Sequence, residues 1–129
     1  MDALEIARYD SRIVQIVSEA HFRMGNNLQA LDYLEEYVAI APTGDLIDHV
    51  YFFMGEVFMR LGEYNNADVA FSTAVYHSDD NARWWSRLGY ARELAGDFPY
   101  AREAYQAALA LNSSLTEARR GLDRIADRL

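Results

Sequence analysis

The chain has 129 residues, with 20 acidic and 12 basic side chains and a net charge of −8. Every basic residue is arginine, and there is no cysteine. An acidic chain lacks the cationic footprint that bulk nucleic acid or an anionic membrane demands. Without cysteine there is no disulfide scaffold, thiol nucleophile or thiolate-bound metal.

Hydrophobic residues make up 51% and charged residues 25%, as expected of one globular domain. No apolar run approaches the ~20 residues that span a bilayer. Residues 1–10 have neither a basic n-region nor an apolar h-region, so no signal peptide is expected and the cytoplasm is the expected compartment.

The start reads as a helical lead-in over 1–10, opened by Asp2-x-x-Glu5. Three copies of one pattern follow, over 11–44, 48–81 and 82–115. Met54-Gly55 returns 34 residues later as Leu88-Gly89, Gly62-Glu63-Tyr64 as Gly96-Asp97-Phe98, and Ala67 with Phe71 as Ala101 with Tyr105. Val14, Gly25, Ala30, Leu34 and Tyr37 form the earlier copy, set off by a three-residue insertion around Asp45–Ile47 after Pro42-Thr43-Gly44.

Each copy predicts two helices. Val50, Tyr51, Met54, Val57, Phe58 and Leu61, then Ala67, Ala70, Phe71, Ala74 and Val75, recur every three and four residues. Gly25, Gly62 and Gly96 are expected to close the first helices in a left-handed cap. Asn27 and Asp97 are expected to cap the second helices, with Pro99 in a first turn. A last helix over 116–129, opened by a Ser114-x-x-Glu117 capping box, has an apolar stripe of Ala118, Leu122, Ile125 and Leu129. Its polar face carries Arg119, Arg120, Asp123, Arg124, Asp127 and Arg128, which suits the end of a stacked array.

These residues resemble the tetratricopeptide repeat (TPR) family, whose signature is W-x2-L-G-x2-Y, then A-x3-F, then P. The third copy offers Trp85-x2-Leu88-Gly89 and Ala101-x3-Tyr105, and the middle copy Tyr51-x2-Met54-Gly55-x2-Phe58 and Ala67-x3-Phe71. The first offers Val14-x2-Val17-Ser18 and Ala30-x3-Leu34, and alone keeps the proline, Pro42; Arg92 stands where the third copy should have an aromatic. The resemblance implies an all-α, right-handed α–α superhelix of about seven helices. The first helix of each pair would line a concave groove that holds an extended peptide or a partner helix.

No nucleophile, base and electrophile fall together, so no catalysis and no cofactor are expected. His21, His49 and His77 occupy different places in their copies, so no shared metal site is expected. Asn112-Ser113-Ser114 fits the glycosylation sequon and equally a helix-ending turn.

The arginines say more. Arg12, Arg23, Arg60, Arg83 and Arg87 fall on the expected groove face, and the last helix adds Arg120, Arg124 and Arg128. They stand against Glu19, Glu56, Glu93, Glu117 and Asp127, leaving the groove at about +3. Glu19–Arg23 and Glu56–Arg60 are favourable pairs four apart, whereas Arg83/Arg87 and Arg120/Arg124 are like charges one turn apart. Two readings stay open for those two pairs: an anionic partner, or neutralisation from within by Asp79, Asp80 or Glu117.

Tyr51, Phe58, Phe71, Trp85, Phe98 and Tyr105 are expected in the core. Phe22, Phe52 and Tyr90 fall off the core stripe and, with Met59 and Trp84, offer an apolar floor. One TPR subclass, which clamps the carboxylate tails of Hsp70 and Hsp90, has two basic residues in its third pair, as Arg83 and Arg87 would be. Gln15, Glu19 and Phe53 do not match its other positions.

The sequence therefore predicts a non-catalytic module that holds a protein or peptide, with acidic groups, in its groove through Arg12, Phe22, Phe52, Met59, Arg83, Arg87, Tyr90, Arg120 and Arg124. Neither nucleic acid nor membrane insertion is expected. The alternative is a self-associating or permanent subunit of a larger assembly, possible as a homo-oligomer, that uses its termini or convex face.

Overall fold

The computed structural model describes residues 27–40 and 46–129. The expected lead-in, the first helix of the first copy and Gly25 lie outside them, as do Pro42 and the candidate site residues Arg12 and Phe22. Among the described residues there are six α-helices and no strand: α1 (Asn27–Ile40), α2 (Ile47–Arg60), α3 (Tyr64–His77), α4 (Ala82–Leu94), α5 (Phe98–Leu111) and α6 (Thr116–Ile125). A 3-10 turn, Ala126–Arg128, follows. Helices α2 with α3 and α4 with α5 form antiparallel hairpins, α3 packs on α4, and α6 packs on both α4 and α5.

The two hairpins repeat the same backbone details. After α2, Gly62 takes φ +73°; its N–H donates to the Met59 carbonyl (3.1 Å) and that of Glu63 to Phe58 (2.9 Å). After α4, Gly96 takes φ +83°, with Gly96 donating to Glu93 (3.0 Å) and Asp97 to Arg92 (2.9 Å). This is the Schellman arrangement, and its left-handed residue calls for glycine.

Asp97 stands at the N-cap position of α5 as expected, but its side chain makes no capping bond; its carbonyl accepts from Ala101 N–H at 2.9 Å. Asn81 does cap α4, accepting from the Trp84 N–H at 3.2 Å. The expected Ser114–Glu117 box does not form. Leu115 is the N-cap residue of α6, and both the N–H and the hydroxyl of Ser114 turn back to Asn112 Oδ1, at 3.1 and 2.8 Å. Asn112 is the closer acceptor along the chain, so the sequon residues form a helix-ending turn.

Alanine fills the hairpin seams: Ala67, Ala70, Ala74, Ala101, Ala104 and Ala108 are buried. They let α3 and α5 approach their partners closely, and large rings then fill the remaining space. Phe71 lies over Gly55 and Tyr105 over Gly89, where added Cβ atoms would come within 2.5 Å and 2.7 Å of ring carbons. Tyr105 also covers Gly121, so one ring joins α4, α5 and α6.

Arg92, which replaces the expected aromatic, is held in place by polar bonds. Its Nε donates to Asp68 Oδ1 (3.1 Å), its Nη1 to the Tyr100 carbonyl (3.2 Å) and its Nη2 to Ser72 Oγ (3.4 Å). The guanidinium thus joins α3, α4 and the start of α5. Ala118 and Ile125 of the expected α6 stripe are buried, whereas Leu129 is exposed.

Candidate functional site

Helices α2, α4 and α6 present their inner faces to one surface with two adjoining hollows. The first, of about 870 Å³, lies between α2 and α4 and is lined by Phe52, Phe53, Met59, Arg60, Arg83 and Trp84 among others. The second, of about 790 Å³, lies between α4 and α6 and is lined by Ser86, Tyr105, Leu115, Thr116, Arg120 and Arg124 among others. Arg87, Tyr90 and Leu94 of α4 border both, so α4 is the ridge between them. All seven described candidates are brought together here: Phe52, Met59 and Arg83 in the first hollow, Arg120 and Arg124 in the second, and Arg87 and Tyr90 between them.

Two candidate arginines are already paired. Arg87 donates from Nε to Glu56 Oε1 at 2.6 Å and from Nη2 to Oε2 at 2.9 Å. Arg124 donates from Nε to Glu93 Oε2 at 2.9 Å and from Nη2 to Oε1 at 3.0 Å. Planar guanidinium and planar carboxylate meet with two parallel bonds, the strongest geometry open to such a pair.

Burial works to lower the Arg87 pKa, but the Glu56 hydrogen bond and charge, aided by Glu117 and Tyr90, hold it above its ordinary value. The Glu93 hydrogen bond raises that of Arg124 against a smaller opposing effect of burial. Pairing leaves the groove's net charge as counted but fixes where it sits, and Glu56 accepts through both its oxygens from Arg87 of the next inner helix.

Tyr90 lies between the two pairs, its ring centroid 5.4 Å from the Arg87 guanidinium carbon and 5.7 Å from that of Arg124. Arg83 is far looser. Its side chain is 75% exposed and its Nε stands 3.7 Å from Glu117 Oε1. Arg120 is exposed and makes no ion pair among the described residues.

The aromatic floor is shared with the core. Phe52 lines the first hollow and also stacks on Trp84 with centroids 4.9 Å apart and leans on Phe71 at 5.5 Å. Trp84, placed beside the groove by sequence, lines the same hollow though it is largely buried. Trp85, the expected core residue, is only half-buried and donates its indole N–H to the Asp79 carbonyl at 2.8 Å.

His21 lies outside the described residues; of the other two histidines, His49 Nδ1 is 2.9 Å from Asp48 Oδ1 and meets Trp84 edge-on, while His77 stacks on Tyr51. Among the described residues no group of three His, Asp or Glu side chains is placed to hold a metal, and no helix is long and apolar enough to cross a membrane.

Sequence reasoning missed Ser86. It lies at the base of the second hollow with 3% of its surface exposed, and its hydroxyl has no hydrogen-bond partner among the described residues. The signal was present in the 34-residue comparison, which sets Ser86 against Phe52.

No curated protein sequence matches the chain. Among solved structures, the first TPR domain of Spaghetti (RPAP3), bound to the HSP90 peptide SRMEEVD, is 20% identical; the match covers 90% of each chain with a TM-score of 0.82. The second TPR domain of human RPAP3, in complex with the HSP70 peptide SGPTIEEVD, is 16% identical over 88% of this chain and 92% of its own, with a TM-score of 0.80. The Arabidopsis OM64 TPR domain is 17% identical over 99% of this chain and all of its own (100%), with a TM-score of 0.82. The helical stack is therefore that of the right-handed TPR superhelix. Residues 48–80, which span nearly all of α2 and the whole of α3, match the tetratricopeptide repeat family model, and the repeated hairpin carries the same helical fold through the rest of the described chain.

Proposed function

We propose that the chain is a non-catalytic interaction module that holds a peptide or helix of a partner protein along α2, α4 and α6, as an adaptor, cochaperone or assembly factor. The observation that carries this reading is the pair of adjoining hollows, which together make one surface with an aromatic floor and arginines at its rim. Rings flanked by arginine are the composition of interface anchors. The peptide complexes of two RPAP3 TPR domains lend support, because those domains share the fold.

The ligand chemistry need not be theirs. Arg87 is tied to Glu56 by two bonds, so a carboxylate seeking it must displace an internal one. Arg83 and Arg120, on the rim, are the better contacts for acidic groups of a partner. A photo-crosslinking residue at position 83 should capture one discrete partner in cell extract, while the same residue at Tyr76, 84% exposed on the outer helix α3, should not. Equal capture at both positions, or none at 83, overturns the groove reading.

A second reading rests on that outer face. Val69 and Tyr76, two turns apart on α3, are both exposed, which fits a permanent subunit joined through the convex side. Light scattering separates the two readings, because a monomer that still captures its partner at position 83 needs no such joint.

A further inference from the structure

We propose that the second hollow is a side-chain pocket that takes a tyrosine ring of the partner segment; the inference rests on the groove reading above. The argument starts from the repeat. In the middle copy the inner seam is filled by a stacked pair, Phe52 of α2 on Trp84 of α4, with ring centroids 4.9 Å apart and planes 11° from parallel. A shift of 34 residues replaces Phe52 by Ser86 and Trp84 by Ala118. Helix α6 begins at Thr116, 34 residues after the start of α4, so the two positions keep their register. The neighbouring hairpin thus lacks two rings at the equivalent seam, and there the hollow opens over Ser86.

Its walls supply apolar surface from Tyr90, Leu94, Tyr105 and Leu115, which suits a planar ring. Its base supplies an unsatisfied hydroxyl. Buried polar groups are nearly always hydrogen-bonded, so a buried orphan calls for a partner. The Ser86 hydroxyl both donates and accepts, and the lining around it mixes donors, Arg87 and Arg120, with carboxylate acceptors, Glu93 and Glu117. A polar tip that uses both kinds of partner must itself donate and accept. A phenol does so, indole N–H only donates, and phenylalanine offers nothing. Tyrosine therefore fits both the shape and the polarity of the site.

The test uses the whole chain and three probes: N-acetyl-tyrosinamide, N-acetyl-phenylalaninamide and N-acetyl-leucinamide, titrated against ¹H–¹⁵N spectra. The tyrosine probe should shift the amides of Ser86, Tyr90 and Leu115 saturably, with a dissociation constant on the order of millimolar, as small fragments give. Ser86→Ala should weaken the tyrosine probe roughly three- to tenfold, to the level of the phenylalanine probe, and leave that probe unchanged. Ser86→Phe, which restores one missing ring, should abolish both at this site.

Equal shifts from leucine and tyrosine probes overturn the proposal, as do shifts centred on Met59 and Phe53, or an unaltered tyrosine affinity in Ser86→Ala. Photo-capture at position 83 separates this from the groove reading. Capture that survives in a folded Ser86→Phe protein sinks the pocket and leaves the groove, while absence of capture in the wild type sinks the groove itself.

Discussion

Arg87 and Glu56 meet across the gap between α2 and α4 with two bonds of 2.6 and 2.9 Å, and Arg124 and Glu93 repeat the grip between α6 and α4 at the same separation of 31 residues. Each inner helix is thereby tied to the next on the groove side. The first pair is well shielded, with side-chain exposures of 26% and 17%. Arg87→Ala should cost about 1.5–3 kcal/mol, because Glu56 loses a charged partner in a place where water replaces it poorly. Thermal unfolding followed by circular dichroism is the measurement; a loss no larger than that of Arg83→Ala would show the grip to be incidental.

Arg83 should behave in the opposite way. At 75% exposure and 3.7 Å from Glu117 it contributes under about 0.5 kcal/mol to stability, so Arg83→Ala should melt close to wild type. If an acidic group of the partner sits there, the same variant should bind several-fold to a hundredfold more weakly at low salt, and the difference should shrink as salt is added. Titrations of the captured partner at two ionic strengths decide this.

Gly89 and Gly121 lie against Tyr105, which leaves no room for a side chain. Gly89→Ala and Gly121→Ala should each cost about 1–3 kcal/mol through overpacking. Gly96→Ala should cost about 1–2 kcal/mol for a different reason: its added methyl meets nothing within 4 Å, but its φ is +83°. Pairing each alanine variant with Tyr105→Leu tells the causes apart, since a smaller side chain relieves the first two and not the third.

Tyr105 predicts an alkaline limit. Burial, then the hydrogen bond and charge of Glu93, push its hydroxyl well above the ordinary tyrosine value, with Arg124 opposing. In the unfolded chain the phenol ionises near 10. Below that pH both states keep the proton and the contribution is intact. As pH climbs from about 10 towards the raised folded value, only the unfolded state loses the proton, and stability falls by up to about 1.4 kcal/mol per unit. Urea midpoints between pH 8 and 11 should decline more steeply for wild type than for Tyr105→Phe.

Arg92 gives a further stability test. Its three bonds join three helices from one half-buried head group, and Arg92→Ala should cost about 2–3 kcal/mol, with Asp68 left without its partner. Adding Asp68→Ala should recover part of the loss, which a double-mutant cycle reads directly.

The elements near in sequence were the legible ones. Gly62 and Gly96 close their helices as the pattern required, because a left-handed turn depends on local backbone alone. The alanine rows and the rings of Phe71 and Tyr105 were equally plain, since helical spacing fixes which residues face inward. The charge pairs were not. A rule for residues four apart sees only one helix, and Glu56 finds Arg87 on the next. Trp85 was misplaced for a related reason: adjacent helix positions differ by about 100° in direction, so a small rotation of one helix exchanges core and rim. The capping box failed at Ser114 because Asn112, two residues back, offered its oxygen first.

The single ring shared by Gly89 and Gly121 sets how the array comes apart. Terminal helices of stacked repeats ordinarily fray alone, being covered on one side only. Here α6 cannot peel away without uncovering the aromatic plug of the hairpin beneath it, so this helix should melt together with α4 and α5, and the rim of the hollow should keep its form for as long as that unit does.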